Sequence, residues 1–525
     1  MNRSVSKLAL LIVAMPCGQV IAENFIYVDA SASQSPHNGS DWDHACLRLE
    51  DAMLVAGPGT VIRMAAGTYM PDTAGQSDPR DATFTVTSGV ILEGGYAGSS
   101  AINPNSRDVS AFETVLSGDI GLAGVDSDNC YHVLRANGAS AQTIIDGVTI
   151  TGGNANGSGA GGVGGGIVVI AGAPTIRDCR ILENAAEYGG GIFNDGGELT
   201  IERVTFEANV ATASGGALYN NAVFDAPGVS VTDCLFDDNS AFSNGGAVRN
   251  WDSTATFLTC TFTANHIRYG GAAVANGGQG VQQFVRCAFE SNRADTLFAA
   301  NNCYGGAMHS TDNTEQVLQS SLFKGNRAIA SLPGLSHGGA IATSDNAELT
   351  VINCTLVDNN ANFGNGLYAE DQSDVTLRNT VVWDGGNEIV NVGAATVAAT
   401  YSIVTGGISG SGNLADDPLL VDGHPQAGSP CINGGDPGFV SPVDRDLDGH
   451  ARVLCGQTDI GAFEFGIGDY NCDESVTLAD YANWSDCMTG PDAGPYLTGC
   501  SAFDYEFDAD VDMIDFAGLM MILGE

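Results

Sequence analysis

From residue 234 the chain reads Cys234-Leu-Phe-Asp-Asp-Asn239, Gly245-Gly246-Ala247, Cys260-Thr-Phe-Thr-Ala-Asn265, Gly270-Gly271-Ala272 and Cys287-Ala-Phe-Glu-Ser-Asn292. A small residue, any residue, a bulky apolar one, two polar or small residues and Asn recur, and a Gly-Gly step with an apolar residue separates the copies. Upstream the same hexapeptide stands at Cys179–Asn184 and Val204–Asn209; downstream it stands at Ser321–Asn326 and Cys354–Asn359. The Gly-Gly steps extend from Gly165-Gly166-Ile167 to Gly338-Gly339-Ala340. Successive Asn residues are 25, 30, 26, 27, 34 and 33 positions apart. That is a unit of about 25 residues with insertions in the later copies, the signature of a solenoid.

The unit suits a right-handed parallel β-helix. Segments such as Glu198-Leu-Thr-Ile-Glu202 and Val229-Ser-Val-Thr-Asp233 alternate polar and apolar residues at strand period. One coil cannot bury its inner face alone, whereas stacked coils share a continuous core and pair their backbones in parallel ladders. The recurrent Asn is expected to take a left-handed turn conformation and to bond to the Asn above and below. The Cys column (Cys179, Cys234, Cys260, Cys287 and Cys354) accepts Val204 and Ser321 at the same position. It therefore reads as a small-residue interior stack of free thiols, with stacked disulfides or a metal as the alternatives.

Around this core the chain divides into five stretches. Residues 1–22 have the form of a secretory signal: Arg3 and Lys7, an apolar run from Leu8 to Met15, and Val20-Ile21-Ala22 before the cleavage point. Residues 23–59 hold a first strand and a capping helix, with Asp41 as its N-cap and Trp42, Ala45, Cys46, Leu49, Ala52 and Met53 on one face. Coils fill 60–402, a closing segment 403–465, and a separate acidic module 466–525. No stretch is long and apolar enough for a transmembrane helix.

The chain has 62 acidic against 19 basic residues, a net charge of −43, which makes nucleic acid a poor partner. Export permits disulfides, and Cys17 belongs to the signal, which leaves 13 of the 14 cysteines. Residues 466–525 contain 13 Asp/Glu and no Lys or Arg. Two twelve-residue loops stand out there. In the first, oxygen ligands come from Asp469, Asn471, Asp473, Thr477 and Asp480, with Ser475 at the backbone-carbonyl position. In the second they come from Asp504, Glu506, Asp508, Asp512 and Asp515, with Asp510 at the carbonyl position. Such rings suit Ca2+, a hard cation that takes six to eight oxygens.

The Phe-x-x-Asn and Gly-Gly-Ala/Ile pairing resembles the repeats of the chlamydial polymorphic outer-membrane protein family over roughly residues 160–360. That resemblance implies a β-helical surface adhesin, without the membrane barrel of that family. Gly67-Thr68-Tyr69 and Leu116-Ser117-Gly118-Asp119-Ile120 are similar to secreted proteins of the pectin-lyase-like fold. The stretch from about Ala415 to Phe465 resembles the closing segment of exported bacterial β-helix proteins, and Cys431 and Cys455 are expected to pair there. The two acidic loops, each followed by an apolar helical stretch and with Asp at position 12, resemble a type I dockerin, a paired EF-hand-like α-helical module. Glu474 and Ala509 depart from the usual Gly at position 6. The resemblance implies a cohesin-like or surface-anchoring partner contacted through Leu478, Ala479, Met513 and Ile514, and Cys487 and Cys500 are expected to form a disulfide.

The functional expectation is an extracellular or cell-surface scaffold, adhesin-like and in contact with a polysaccharide, carrying a calcium-binding anchoring module. The alternative is a polysaccharide lyase or glycoside hydrolase delivered by that module. Catalytic residues are not identifiable from spacing. Lys324, the one lysine outside the signal, falls in a repeat loop and is expected at the surface. A cleft lined by Arg or Lys with two or three carboxylates on adjacent coils would favour the enzyme. His309, His337, Arg249, Trp251 and Arg268, in the central coils, offer a sugar-contacting face.

Overall fold

The structure, a computed structural model, describes residues 24–222, 228–296, 302–332, 335–439, 445–473, 475–482, 484–491, 500–505 and 510–523. The signal-like residues 1–22 lie outside them, as do Glu506 and Asp508. Among the described residues the chain winds as a parallel β-solenoid, with four parallel sheets of 13, 12, 11 and 7 strands. One coil shows the plan. Thr200–Glu202 lies in the first sheet, Thr205–Glu207 in the second, Val210–Ser214 in the seven-stranded fourth and Leu218–Asn221 in the eleven-stranded third. Each strand pairs in parallel with its equivalents in the neighbouring coils, so Phe206, Phe236, Phe262, Phe289 and Phe323 are in register.

These phenylalanines fill the interior as a stack. Successive ring centroids lie 4.7, 4.6, 4.8 and 4.5 Å apart and the planes are within 7° of parallel. Phe257 and Phe284 make a second stack, 4.8 Å apart, with its edges against the first. The thiol column lies inside as well. Cys179, Cys234, Cys260, Cys287 and Cys354 are free and buried, so no disulfide runs along the column. Each Sγ donates to the carbonyl two residues earlier, at 3.0 to 3.5 Å. Ser321 and Thr380 make the same bond with their hydroxyls. The column thus selects small donors, and Val204 is its apolar exception. Burial pushes the Cys179 and Cys354 thiols up to about 12, so they are unreactive.

The Asn ladder is continuous. Both the backbone N–H and Nδ2 of Asn209 donate to Oδ1 of Asn239, at 3.1 and 3.0 Å, and the pattern repeats through Asn265, Asn292, Asn326 and Asn359. The expected backbone conformation is corrected, however. The left-handed residue is the one before the Asn, such as Ala208, Asp238, Ala264 and Ser291, with φ of 50–55°. That kink turns the chain so that the following Asn points inward. The Gly-Gly steps are required sterically: Gly215 has φ 69°, and a Cβ on Gly216 would stand 2.2 Å from the carbonyl of Gly246.

The ladder ends on Asp384, whose Oδ1 accepts from the N–H and Nδ2 of Asn359 at 2.7 and 3.0 Å. Its Oδ2 is enclosed without a partner. Burial first, and then the nearby Glu388, push this carboxyl up to about 8. The folded chain therefore holds a proton that the unfolded chain releases near pH 4. This contribution is complete below about pH 4 and lost as the pH rises to about 8. Asp384→Asn extends the ladder with an amide and should gain ~1 kcal/mol at pH 8.5, with little gain at pH 5. Urea midpoints at the two pH values check it; an equal gain at both, or a loss at pH 8.5, contradicts it.

The ends differ from expectation. The capping helix is shorter, Leu49–Val55 with Arg48 at its N-cap. Asp41 instead binds His44 through its N–H and ring, and Cys46 bridges to the edge strand at Val28. Two helical turns suffice because only Leu49 and Ala52 of the helix are buried. The closing segment folds back along the outside of the second sheet: Phe463 and Ala462 pack on Leu322 and Val357, while Cys431 and Ile460 pack on Val381 and Ile403. The Cys431–Cys455 pairing is corrected. Cys431 is a buried free thiol, and Cys455 is bonded to Cys472 (S–S 2.13 Å). Cys431 is held in the apolar seam, whereas Cys455 stands beside the first acidic loop. No helix among the described residues is long and apolar enough to cross a membrane.

Candidate functional site

Three features carry polar chemistry. The first is a cleft of about 440 Å³ between the second sheet and the returning closing segment. The turn before the strand Ala288–Glu290 contributes Arg286, the sheet contributes Glu290 and Lys324, and the closing segment contributes Asp422, His424 and Asp448. Lys324 is less free than its loop-like sequence implies. It ends the strand Leu322–Lys324 and its Nζ lies 2.8 Å from Oδ1 of Asp422. Nε2 of His424 lies 2.9 Å from Oδ2 of Asp448, and the imidazole stacks on Phe463 with centroids 3.7 Å apart. The hydrogen bond to Asp422 raises the Lys324 ammonium above its ordinary value, and Asp448 does the same for His424. Lys324 is thus held cationic near neutral pH, and β-elimination requires a base that is deprotonated.

The second feature is the outer face of the third sheet. Strand alternation turns Phe193, Tyr219, Arg249, Ala275, His309, Ala342 and Tyr368 outward in one column, one per coil. Phe193 stacks on Tyr219 at 5.6 Å, and Arg249 lies 4.8 Å over the ring of Trp251. Farther along, Tyr304 is sandwiched between His309 and His337, each 4.9 Å away. Burial lowers both histidines, His309 to about 3, so they are neutral and belong to the aromatic stack. Arg268 lies 5.1 Å over Phe242, away from this column.

The third feature is the C-terminal module, with an apolar core of Trp484, Phe503, Val511 and Leu519 around the Cys487–Cys500 disulfide (S–S 2.02 Å). In the first loop Asp469 and Asp480 are buried, and Asn471, Asp473, Ser475 and Thr477 are exposed. Thr477 caps the helix Leu478–Tyr481, and Asp480 completes the capping box, accepting the N–H groups of Asn471 and Thr477 at 3.0 and 2.9 Å. In the second loop Asp504, Asp510, Asp512 and Asp515 are buried. Carboxylate oxygens of Asp510, Asp512 and Asp515 all lie within 4.8 Å of one another. Concentrating carboxylates in this way is costly unless a cation compensates it. Leu478, Ala479, Met513 and Ile514 are all exposed. Besides the Cys455–Cys472 bond, Arg445 of the closing segment lies 3.8 Å from Asp504.

Sequence reasoning missed Asp422, His424 and Asp448 as lining residues. Asp422 is 98 positions from Lys324, and no local signal announces that contact.

The family model for the right-handed beta helix region matches residues 96–262. The probable outer membrane protein PmpG of Chlamydia muridarum (strain MoPn / Nigg) is 26% identical over 320 residues, which is 50% of this chain and 32% of that protein. The metabotropic glutamate receptor-like protein Q of Dictyostelium discoideum is 27% identical over 196 residues, 36% of this chain and 15% of that one. The matched region spans about a third of PmpG and less of the Dictyostelium protein. Among solved structures, pectate lyase Pel9A is similar with TM-score 0.42 and 16% identity, covering 84% of this chain and 96% of that one. PfbA, a surface adhesin of Streptococcus pneumoniae, has TM-score 0.36 and 10% identity, covering 77% and 97%.

Proposed function

We propose that this chain is a secreted or cell-surface β-helix scaffold, adhesin-like, that contacts glycan along its solenoid and is anchored or assembled through a calcium-binding, dockerin-like module. The observation that carries the reading is the pair of C-terminal loops with six buried aspartates, which a bound Ca2+ would offset in each loop. The partly exposed aromatic column supports the glycan contact, since ring faces pack against sugar C–H surfaces with little loss of side-chain entropy. The partial relative in Chlamydia, described as an outer membrane protein, fits a surface location. The exposed Leu478, Ala479, Met513 and Ile514 are the surface offered to a cohesin-like partner.

A second reading, a polysaccharide lyase or glycoside hydrolase, is favoured by the Arg286–Lys324 cleft with its carboxylates. The ion pairs there weigh against it, because they leave Lys324 protonated. Both readings are tested by incubating the mature protein with acidic and neutral polysaccharides, with calcium and with chelator. Retention without new reducing ends or unsaturated products is the expected result. Products that vanish in Lys324→Ala would replace the scaffold reading with the enzyme.

A further inference from the structure

After the second-sheet strand Thr114–Ser117 the chain makes a loop that closes at its neck. The carbonyl of Gly118 accepts the N–H groups of both Ile120 and Cys130 at 2.9 Å, so Asp119 and Asn129 stand together at that neck. Asp119 and Asp128 brace one turn of the loop. Oδ2 of the first accepts the N–H of Gly124 and Oδ2 of the second that of Leu122, each at 2.9 Å. Their Oδ1 atoms are enclosed and accept no hydrogen bond. Oδ1 of Asn129 is in the same condition, on a side chain that is 4% exposed. The Asn129 amide points into the neck: a Cβ on Gly152 would lie 3.6 Å from its Nδ2, 3.5 Å from the Gly118 N and 3.4 Å from the Asp119 N. A Cβ on Gly121 would lie 2.9 Å from Oδ1 of Asp128, so glycine keeps the space beside that oxygen clear. Each orphaned acceptor is costly, a charged one most of all. Arg80 reaches this loop but donates to the carbonyls of Asn129 and Asn154, at 2.6 and 2.7 Å, and lies 4.2 Å over the Tyr131 ring.

We infer that the loop 119–129 holds a Ca2+ ion, with Oδ1 of Asp119, Asp128 and Asn129 as its side-chain ligands, and that the ion pins the loop over the open edge of the fourth sheet. An all-oxygen set selects a hard cation, and two carboxylates balance a divalent charge. Main-chain carbonyls of the loop and water complete the six to eight oxygens that Ca2+ takes. The loop already touches that edge. The first strand of the fourth sheet, Asn154–Ala155, donates from the Asn154 N–H to the Cys130 carbonyl at 2.8 Å, and from Nδ2 to the Asp126 carbonyl at 2.7 Å. An uncovered edge strand invites pairing with another chain, so fixing the loop protects the solenoid there. This site is separate from the C-terminal loops and does not depend on them.

The test is amide exchange of the full-length protein in Ca2+ and in chelator, read peptide by peptide. At ~1 mM Ca2+, and with the ~10⁻⁴ M affinity of extracellular calcium modules, exchange over residues 119–129 should slow about ten-fold. Asp128→Asn keeps an acceptor for the Leu122 N–H and removes the charge. It should lose the calcium-dependent slowing at 119–129 and keep whatever calcium response residues 466–525 show. Metal analysis should then find one Ca2+ fewer per chain than in the native protein. Equal exchange of 119–129 in Ca2+ and chelator overturns the site in the native protein alone, so a variant that fails to fold does not rescue it. Slowing that survives in Asp128→Asn and in the Asp119→Asn, Asp128→Asn double variant overturns the ligand set. Equal slowing by Mg2+ overturns the assignment to Ca2+. A response at 466–525 without one at 119–129 removes this inference and leaves the C-terminal module untouched.

Discussion

In full-length protein, Asp515→Ala is expected to abolish calcium binding at the second acidic loop and leave the first intact. Asp515 stands at the twelfth position of that loop and is fully buried. Its two oxygens accept the N–H groups of Tyr505 and Asp512 at 2.6 and 2.8 Å, so the same carboxylate shapes the loop and faces Asp510 and Asp512. Isothermal titration with Ca2+ should lose one of the module's two binding events. Asp515→Asn separates the roles, since it keeps an acceptor for the backbone and removes the charge. It too should lose the event, while the near-ultraviolet signal of Trp484 stays native. An isotherm unchanged in Asp515→Ala would remove the second loop from the proposed calcium module, and no heat in the native protein would remove both.

Phe262→Ala should cost about 3–5 kcal/mol, the largest loss expected from a single interior truncation here. Phe262 is fully buried, stacked between Phe236 and Phe289 and edge-on to Phe257 and Phe284. The neighbouring rings are fixed by their own coils, so the cavity cannot collapse without breaking the strand register. In a solenoid each coil contacts its neighbours alone. Amide exchange should therefore quicken most from about residue 234 to 296 and little near the N-terminal cap. A urea midpoint shift worth less than ~1 kcal/mol would show that the stack tolerates a gap.

The Cys455–Cys472 bond changes how the module is viewed. Here the first loop is tied covalently to the closing segment, and Arg445 reaches Asp504 of the second. The proposed anchoring face at Leu478 and Ala479 follows directly on a loop that is tied to the closing segment.

The repeat was legible because a solenoid writes its tertiary contacts into local spacing. An interior position returns every 25 to 34 residues, so the Phe stack, the Asn ladder and the thiol column appear as columns in the sequence itself. Even there the amino-acid pattern misassigned the left-handed turn to the Asn, because a ladder residue and its preceding kink share the same period. The close grouping of Asp510, Asp512 and Asp515 was equally readable, being local. The capping helix was read too long, since a helical spacing of apolar residues from Trp42 to Ala56 says nothing of the edge strand that claims Cys46.

Contacts between distant segments had no such record. Cys455 faced several cysteines, and its choice of Cys472 over Cys431 depended on how the closing segment turned back along the second sheet. The pairing of Lys324 with Asp422, which turns a candidate base into a held cation, came from the same fold-back. The sequence alone determined the coil, its core and its acidic loops, because periodic and local spacing encodes them. Tertiary structure alone decided which charges are paired, since that depends on the three-dimensional path of insertions between the repeats.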